Sequence, residues 1–119
     1  INFVLIKIHN LQYIFNWLIL NLYIVAMKNK NILLIRKKLD SLDNNILNII
    51  KRRTKLVDEI IKNKKFKKDI VDRKRIKIIL KNIKIKSKKK KLDTKITQKI
   101  WISMIKAFID YEYRNFKKK

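Results

Sequence analysis

The sequence contains no cysteine, no glycine, no proline and a single histidine, His9, among its 119 residues. Without cysteine the chain has no disulfides or thiolate metal ligands, and one histidine argues against a histidine zinc site or a catalytic triad. Without glycine it has no glycine-rich phosphate loop or dinucleotide fingerprint, and it lacks the usual residues of tight hairpin turns. The composition therefore predicts one small all-α domain of long helices joined by polar loops, with no metal or cofactor.

The charge of the chain is strongly positive, with 33 lysines and arginines against 9 acids and a net charge of +24. Such a charge is typical of proteins that bind nucleic acid or an anionic membrane surface. However, the chain has 27 lysines, 24 isoleucines and 12 asparagines, all of which are encoded by AT-rich codons. Codon bias accounts for much of the lysine equally well, so the charge alone does not determine the function.

Residues 1–26 differ in composition from the rest of the chain. They carry one formal charge, on Lys7, and the 16 residues 11–26 carry none. A membrane-spanning helix needs roughly 20 apolar residues, more than this uncharged stretch has. The segment also lacks the A-x-A-like end that is typical of a signal peptide. Because the first methionine is Met27, in "MKNKN", we expect residues 1–26 to be upstream sequence translated from a misplaced start. A membrane anchor is the alternative.

Residues 27–119 then form the functional domain, with 32 basic and 9 acidic residues among 93. We expect this domain to be cytoplasmic and independent of a membrane, and to keep its activity and solubility when residues 1–26 are removed. Under the anchor alternative, the basic residues Lys28, Lys30 and Arg36 would keep the domain on the cytoplasmic side.

Apolar residues at three- and four-residue spacing predict a first helix from about residue 32 to residue 67. Its apolar stripe consists of Leu39, Leu42, Ile46, Ile49, Leu56 and Ile60. Arg53 and Lys64 fall on this stripe, so two cations are expected on the buried side, about 16 Å apart along the axis, with Arg36 about 100° around the helix. The helix would be about 54 Å long, too long for the rest of so small a chain to cover its apolar stripe. We therefore expect a second copy of the chain to cover part of the stripe.

Two shorter helices are predicted after the first. The second begins near Asp72, a helix-capping residue, and ends at about Lys86, with Arg75 in its first turn. The third begins at Asp93 or Thr94. Its buried stripe consists of Ile100, Trp101, Met104, Ile105 and Phe108, and Glu112 continues it.

The polar residues expected on buried faces are three cations, Arg53, Lys64 and Arg75, and one carboxyl group, Glu112. They include no nucleophile paired with a base, so covalent catalysis is not indicated. Cations of this kind bind a small polyanion, because arginine pairs with a carboxylate through two parallel hydrogen bonds. A nucleic-acid-binding protein would instead place its cations and aromatic residues on exposed faces.

Residues 32–119 resemble the all-helical class of chorismate mutase. The resemblance rests on "IRKKLDSLDNNILNIIKRRTKLVDEIIKNK" (35–64), "DRKRI" (72–76), "IWISMIKAFIDYE" (100–112) and the spacing Arg36–x16–Arg53–x10–Lys64. It implies a three-helix chain with one long helix, assembled as an intertwined homodimer. The implied reaction is the intramolecular Claisen rearrangement of chorismate to prephenate, which needs no nucleophile, metal or cofactor.

The resemblance also implies roles for the three cations of the first helix. Arg36 matches the arginine that reaches into the active site of the partner subunit. Arg53 matches the arginine that binds a substrate carboxylate in its own site. Lys64 matches the lysine that contacts a carboxylate and the ether oxygen of the breaking bond.

The later part of the chain follows the family pattern with two departures. Asp72 and Arg75 match its D-x-x-R-E run, but Ile76 stands where a glutamate that holds the ring hydroxyl is common. Glu112 occupies the place of the residue, usually glutamine, that contacts the ether oxygen. Phe108 replaces a serine that some members have one turn earlier, so one carboxylate contact is expected to be missing.

Two other functions are compatible with the sequence. An isochorismate pyruvate-lyase of the same architecture shares the cation set and tolerates an apolar residue after the arginine matched by Arg75. A small basic helical nucleic-acid-binding protein is the alternative from another class, and it would show DNA binding that weakens with salt.

Overall fold

The structure is a computed structural model that describes residues 2–117. Its elements are helix α1 (Asn2–Asn63), a short 3-10 helix (Lys67–Asp69), helix α2 (Arg73–Lys89) and helix α3 (Thr94–Asn115). No strand occurs within these residues. The prediction of an all-α, three-helix chain with one long helix is confirmed, and the intertwined homodimer stays a prediction.

Helix α1 is longer at its N-terminus than predicted, and it ends earlier. It begins at Asn2 instead of near residue 32, and it ends at Asn63 instead of near residue 67. Residues 2–31 contain neither glycine nor proline, so nothing interrupts the backbone hydrogen bonds before the amphipathic stretch begins. The boundary at residue 27 is therefore a change in composition within one helix, and the division into residues 1–26 and 27–119 stays a prediction.

The N-terminal part of α1 has the length and composition of a membrane-crossing helix. An 18-residue window near the N-terminus has a mean hydropathy of 1.4, and none of it is buried. Signal sequences have the same property, so this feature alone does not assign a membrane location.

Aspartates cap the two shorter helices at the positions where the sequence predicts that these helices begin. The Asp72 carboxylate accepts a hydrogen bond from the backbone N–H of Arg75 at 2.9 Å. The Asp93 carboxylate accepts one from the backbone N–H of Lys95 at 2.8 Å. Each bond satisfies an N–H group that has no partner within the helix, so both predicted starts are confirmed.

Helix α2 ends in a Schellman motif that contains no glycine. The N–H of Leu92 donates to the carbonyl of Ser87 at 2.9 Å, and the N–H of Lys91 donates to that of Lys88 at 3.1 Å. Lys91 therefore adopts the left-handed conformation, with φ of 56°, where glycine is usual because a Cβ atom is crowded there.

Lys91→Gly should stabilise the protein by about 0.5–1 kcal/mol, because glycine relieves this crowding but loses more entropy on folding. Urea unfolding at fixed protein concentration measures the change. Lys90→Gly is the matched control, because Lys90 has an ordinary φ of −86° and gains only flexibility. Equal effects of the two substitutions would contradict the assignment.

The chain forms two compact units, residues 1–47 and residues 48–119. In the second unit the buried apolar side chains are Val57, Ile61, Ile70 and Ile105. Helices α2 and α3 are joined by a hydrogen bond of 2.8 Å from the Ser87 hydroxyl to that of Thr97, and the Gln98 amide donates to the carbonyl of Leu80 at 3.1 Å. This unit contains the apolar core that supports the candidate site.

The predicted apolar stripe of α1 is exposed in the single chain. Its members Leu39, Leu42, Ile46, Ile49, Leu56 and Ile60 are 48–60% exposed. Within the single chain, the buried residues of this helix are Val57 and Ile61, one position further along than Leu56 and Ile60. Ile100, which the stripe of the third helix predicts to be buried, is 52% exposed. The exposed stripe of α1 remains available for an intermolecular contact.

Candidate active site

A cavity of about 450 Å³ lies in the second unit and is lined by residues from all three helices. Its charged lining residues are Arg53, Lys64, Asp72, Arg75 and Glu112. Its apolar lining residues are Leu56, Val57, Ile60, Ile70, Ile76, Ile79, Ile105, Phe108 and Ile109. Five of the six predicted site residues thus meet at one cavity, although they are spread over 60 positions of the sequence.

Lys64 and Glu112 form an ion pair at this cavity. The Lys64 ammonium lies 3.0 Å from a carboxylate oxygen of Glu112, and the two side chains are 21% and 11% exposed. The ammonium also donates to the backbone carbonyl of Ile70 at 3.2 Å. An ammonium has three N–H donors, so these two acceptors leave one donor for an anion in the cavity.

Arg53 brings a second cation to the cavity. Its guanidinium carbon lies 5.4 Å from the centroid of the Phe108 ring, a cation–π contact. Its Nε atom is buried and has no hydrogen-bond partner within residues 2–117. A buried donor without a partner costs about 1–3 kcal/mol. A carboxylate in the cavity would supply the missing acceptor.

The residues that begin α2 contribute differently. Asp72 lines the cavity, and its carboxylate is the N-terminal cap of the helix. This bond to the Arg75 backbone gives Asp72 a structural role. The expectation of a buried face is wrong for Arg75, which is exposed at the start of α2. It still lines the cavity, where it adds a third positive charge.

Two positions that depart from the family pattern also line the cavity. Ile76 and Phe108 present apolar side chains there. Neither side chain can form a hydrogen bond, so these two positions cannot bind a ring hydroxyl or a carboxylate in this way.

Arg36 is the one predicted site residue that does not line this cavity. It lies on α1 in the first unit and is exposed. Its predicted place is the site of a partner subunit, and that role stays a prediction.

A hydrogen bond beside the site was not predicted from the sequence. The Tyr111 hydroxyl of α3 donates to the Asp58 carboxylate of α1 at 2.7 Å. This bond raises the pKa of Tyr111, with burial and the charge of Asp58 acting in the same direction and Arg114 opposing them. Neither residue lies on a predicted stripe, so the apolar periodicity contained no signal for the pair.

The site contains no feature of a metal centre. Among residues 2–117, no group of three or more histidine, cysteine, aspartate or glutamate side chains is placed to hold a metal ion. The cavity instead has the partly buried cations Arg53 and Lys64, a third cation at the start of α2, and one carboxyl group around an apolar space. Such a cavity suits a small, mostly apolar molecule with carboxylate groups.

The sequence pattern of one protein family, chorismate mutase type II, matches residues 35–113, about two thirds of the chain. Neither a curated protein nor a solved structure matches the chain. The matched residues contain Arg53 of α1, Lys64 directly after α1, the start of α2 and Glu112. The chain therefore belongs to the chorismate mutase type II family.

Proposed function

We propose that the protein converts chorismate to prephenate. The reaction is an intramolecular rearrangement in which an ether bond breaks as a carbon–carbon bond forms. It needs a site that holds the compact conformer of the substrate and stabilises negative charge on the ether oxygen. The observation that carries the proposal is the meeting of Arg53, Lys64 and Glu112 at one cavity lined largely by apolar side chains.

Each polar group has a role that follows from its chemistry. The Arg53 guanidinium would pair with a substrate carboxylate, which gives its buried Nε atom an acceptor. The remaining N–H donor of Lys64 would point at the ether oxygen, where negative charge develops in the transition state. Arg75 would attract the second carboxylate of the substrate from the edge of the cavity.

Glu112 helps an ether oxygen only when its carboxyl group carries a proton, because a carboxylate would repel the developing charge. Glu112→Gln keeps a group that donates a hydrogen bond and removes the negative charge. We expect the Gln variant to stay active, because its amide donates to the ether oxygen without repelling the developing charge. Glu112→Ala should lose about 100-fold in kcat/KM, since it removes one donor to the transition state.

Steady-state kinetics of the three proteins with chorismate test this expectation. Equal kcat/KM of the natural protein and Glu112→Ala would remove Glu112 from the mechanism. Circular dichroism of each variant is the control for unfolding.

We also propose that two chains form the active unit, with Arg36 completing the partner's site. The support is the exposed stripe of α1, a row of large apolar side chains that are 48–60% exposed in the single chain and that a soluble domain covers with another surface. Sedimentation of residues 27–119 at micromolar concentration should give one species of twice the chain mass. A folded and active monomer would contradict the proposal.

An isochorismate pyruvate-lyase is the second candidate, and the apolar side chain of Ile76 at the cavity favours it. Nucleic-acid binding has less support, because Phe108 lines the cavity and Trp101 is half-buried, which removes both from a stacking surface.

Product analysis distinguishes these functions. The purified full chain, kept in mild detergent, is incubated separately with chorismate and isochorismate, and the products are identified by proton NMR. Prephenate from chorismate supports the proposal. Salicylate and pyruvate from isochorismate, without prephenate, would identify the lyase, and no product from either substrate would reject both enzymes.

A further inference from the structure

The residues of the Tyr111–Asp58 hydrogen bond lie close in sequence to those of the Lys64–Glu112 ion pair of the site. Asp58 precedes Lys64 by six residues, and Tyr111 directly precedes Glu112. The Tyr111 hydroxyl lies 2.7 Å from Asp58, and the Lys64 ammonium lies 3.0 Å from Glu112. Two side-chain hydrogen bonds therefore connect consecutive residues of α3 to Asp58 in α1 and to Lys64, which directly follows α1.

The Tyr111 ring also contacts the aromatic residue that carries the second cation. Its centroid lies 6.4 Å from that of Phe108 in an edge-to-face arrangement. Phe108 in turn contacts Arg53, whose guanidinium carbon lies 5.4 Å from the centroid of the Phe108 ring. Tyr111 is thus connected to Glu112 through the backbone and to Arg53 through Phe108.

We propose that Tyr111 is a positioning residue, which holds α3 at the rotation that presents Glu112 to Lys64 and Phe108 to Arg53. Consecutive helix residues point about 100° apart. The bonds of Tyr111 and Glu112 therefore hold α3 from two directions. The hydrogen bonds from α3 to α2 lie near the start of α3. Without the Tyr111 bond, the C-terminal part of α3 would keep the ion pair with Lys64, and this end could turn and move Glu112 relative to the cavity.

Asp58 keeps the Tyr111 hydroxyl protonated at ordinary pH, and the positive charge of Arg114 opposes this effect. Asp58 faces the hydroxyl from α1, and Arg114 of α3 lies 5.9 Å from the ring centroid and pairs with Asp110 at 3.0 Å. Since the bond to Asp58 raises the pKa of Tyr111 above its ordinary value, the hydroxyl keeps its proton and donates throughout the physiological range.

The proposal rests on the proposed function, and its test separates the two. Tyr111→Phe keeps the ring and removes the hydroxyl, and Asp58→Leu removes the acceptor. Asp58→Asn keeps a carbonyl oxygen that accepts the bond. We expect kcat for chorismate to fall about 10-fold in Tyr111→Phe and Asp58→Leu with KM changed less than about threefold, because misplaced groups act mainly in the transition state.

The double variant Tyr111→Phe/Asp58→Leu should be no worse than either single variant, because both remove the same bond. Asp58→Asn should keep most of kcat, and Tyr113→Phe, on the exposed side of α3, is the matched control. Unchanged kcat in Tyr111→Phe, or losses that multiply in the double variant, would overturn the proposal.

A second measurement does not depend on the substrate. Amide hydrogen exchange of residues 112–115 in the full chain should be faster in Tyr111→Phe and Asp58→Leu, by about 10-fold, than in Asp58→Asn and Tyr113→Phe. If the natural protein does not convert chorismate, the proposed function fails while this exchange pattern still supports the positioning role. Equal exchange in all four variants would overturn that role.

Discussion

Lys64→Met should lower kcat/KM for chorismate by about 100- to 1,000-fold, the usual effect of removing one preorganised donor to developing charge. Methionine has nearly the same length and fills the same space but donates no hydrogen bond. The loss should appear mainly in kcat, because the ether oxygen gains its charge in the transition state. Steady-state kinetics with chorismate measure both constants.

The substitution also leaves the Glu112 carboxylate, 11% exposed, without its cation, and an unpaired buried charge destabilises a fold. The double variant Lys64→Met/Glu112→Gln removes that charge and should restore the melting temperature without restoring activity. Lys65→Met, at the exposed neighbouring position, is the matched control and should stay fully active. Activity of the double variant near that of the natural protein would contradict the role of Lys64.

Arg36→Ala and Arg53→Ala should each remove most of the activity, and mixed dimers of the two variants should regain part of it. If Arg36 completes the site of the partner, one of the two sites in a mixed dimer draws both arginines from unmutated positions. With random assembly, half of the dimers are mixed and half of their sites work, so about a quarter of the natural activity should return.

Co-expression with two different affinity tags provides the mixed dimers, and purification on both tags removes the parent dimers. The doubly purified sample should then show about half of the natural activity per chain, by the same count of intact sites. Absence of recovery in a confirmed mixed dimer would show that both arginines serve the site of one chain.

Much of the site could be predicted from the sequence because its polar residues interrupt apolar stripes. Arg53 and Lys64 fall on the predicted stripe of the first helix, Glu112 extends the predicted stripe of the third, and all three line one cavity. Asp72 and Asp93 could also be predicted as helix starts, because a carboxylate at the cap satisfies free backbone N–H groups. Local patterns of this kind reflect local hydrogen bonds and burial.

Other features could not be predicted, because they depend on how the helices pack. The buried residues of α1 are Val57 and Ile61, whereas the regular stripe one position earlier is exposed. Periodicity shows that a helix has an apolar face but not which partner covers it. The pairing of Asp58 with Tyr111, 53 positions apart, depends on the rotation of α3 against α1, for which the stripes contain no information.

The most direct test of the account is the rate at which the purified full chain consumes chorismate, measured beside the uncatalysed reaction in the same detergent buffer. We expect saturable turnover and an acceleration of roughly 10⁶-fold or more, the usual lower range for enzymes, with prephenate formed in equal amount. A chain that is helical by circular dichroism and consumes chorismate no faster than the buffer alone would contradict the account.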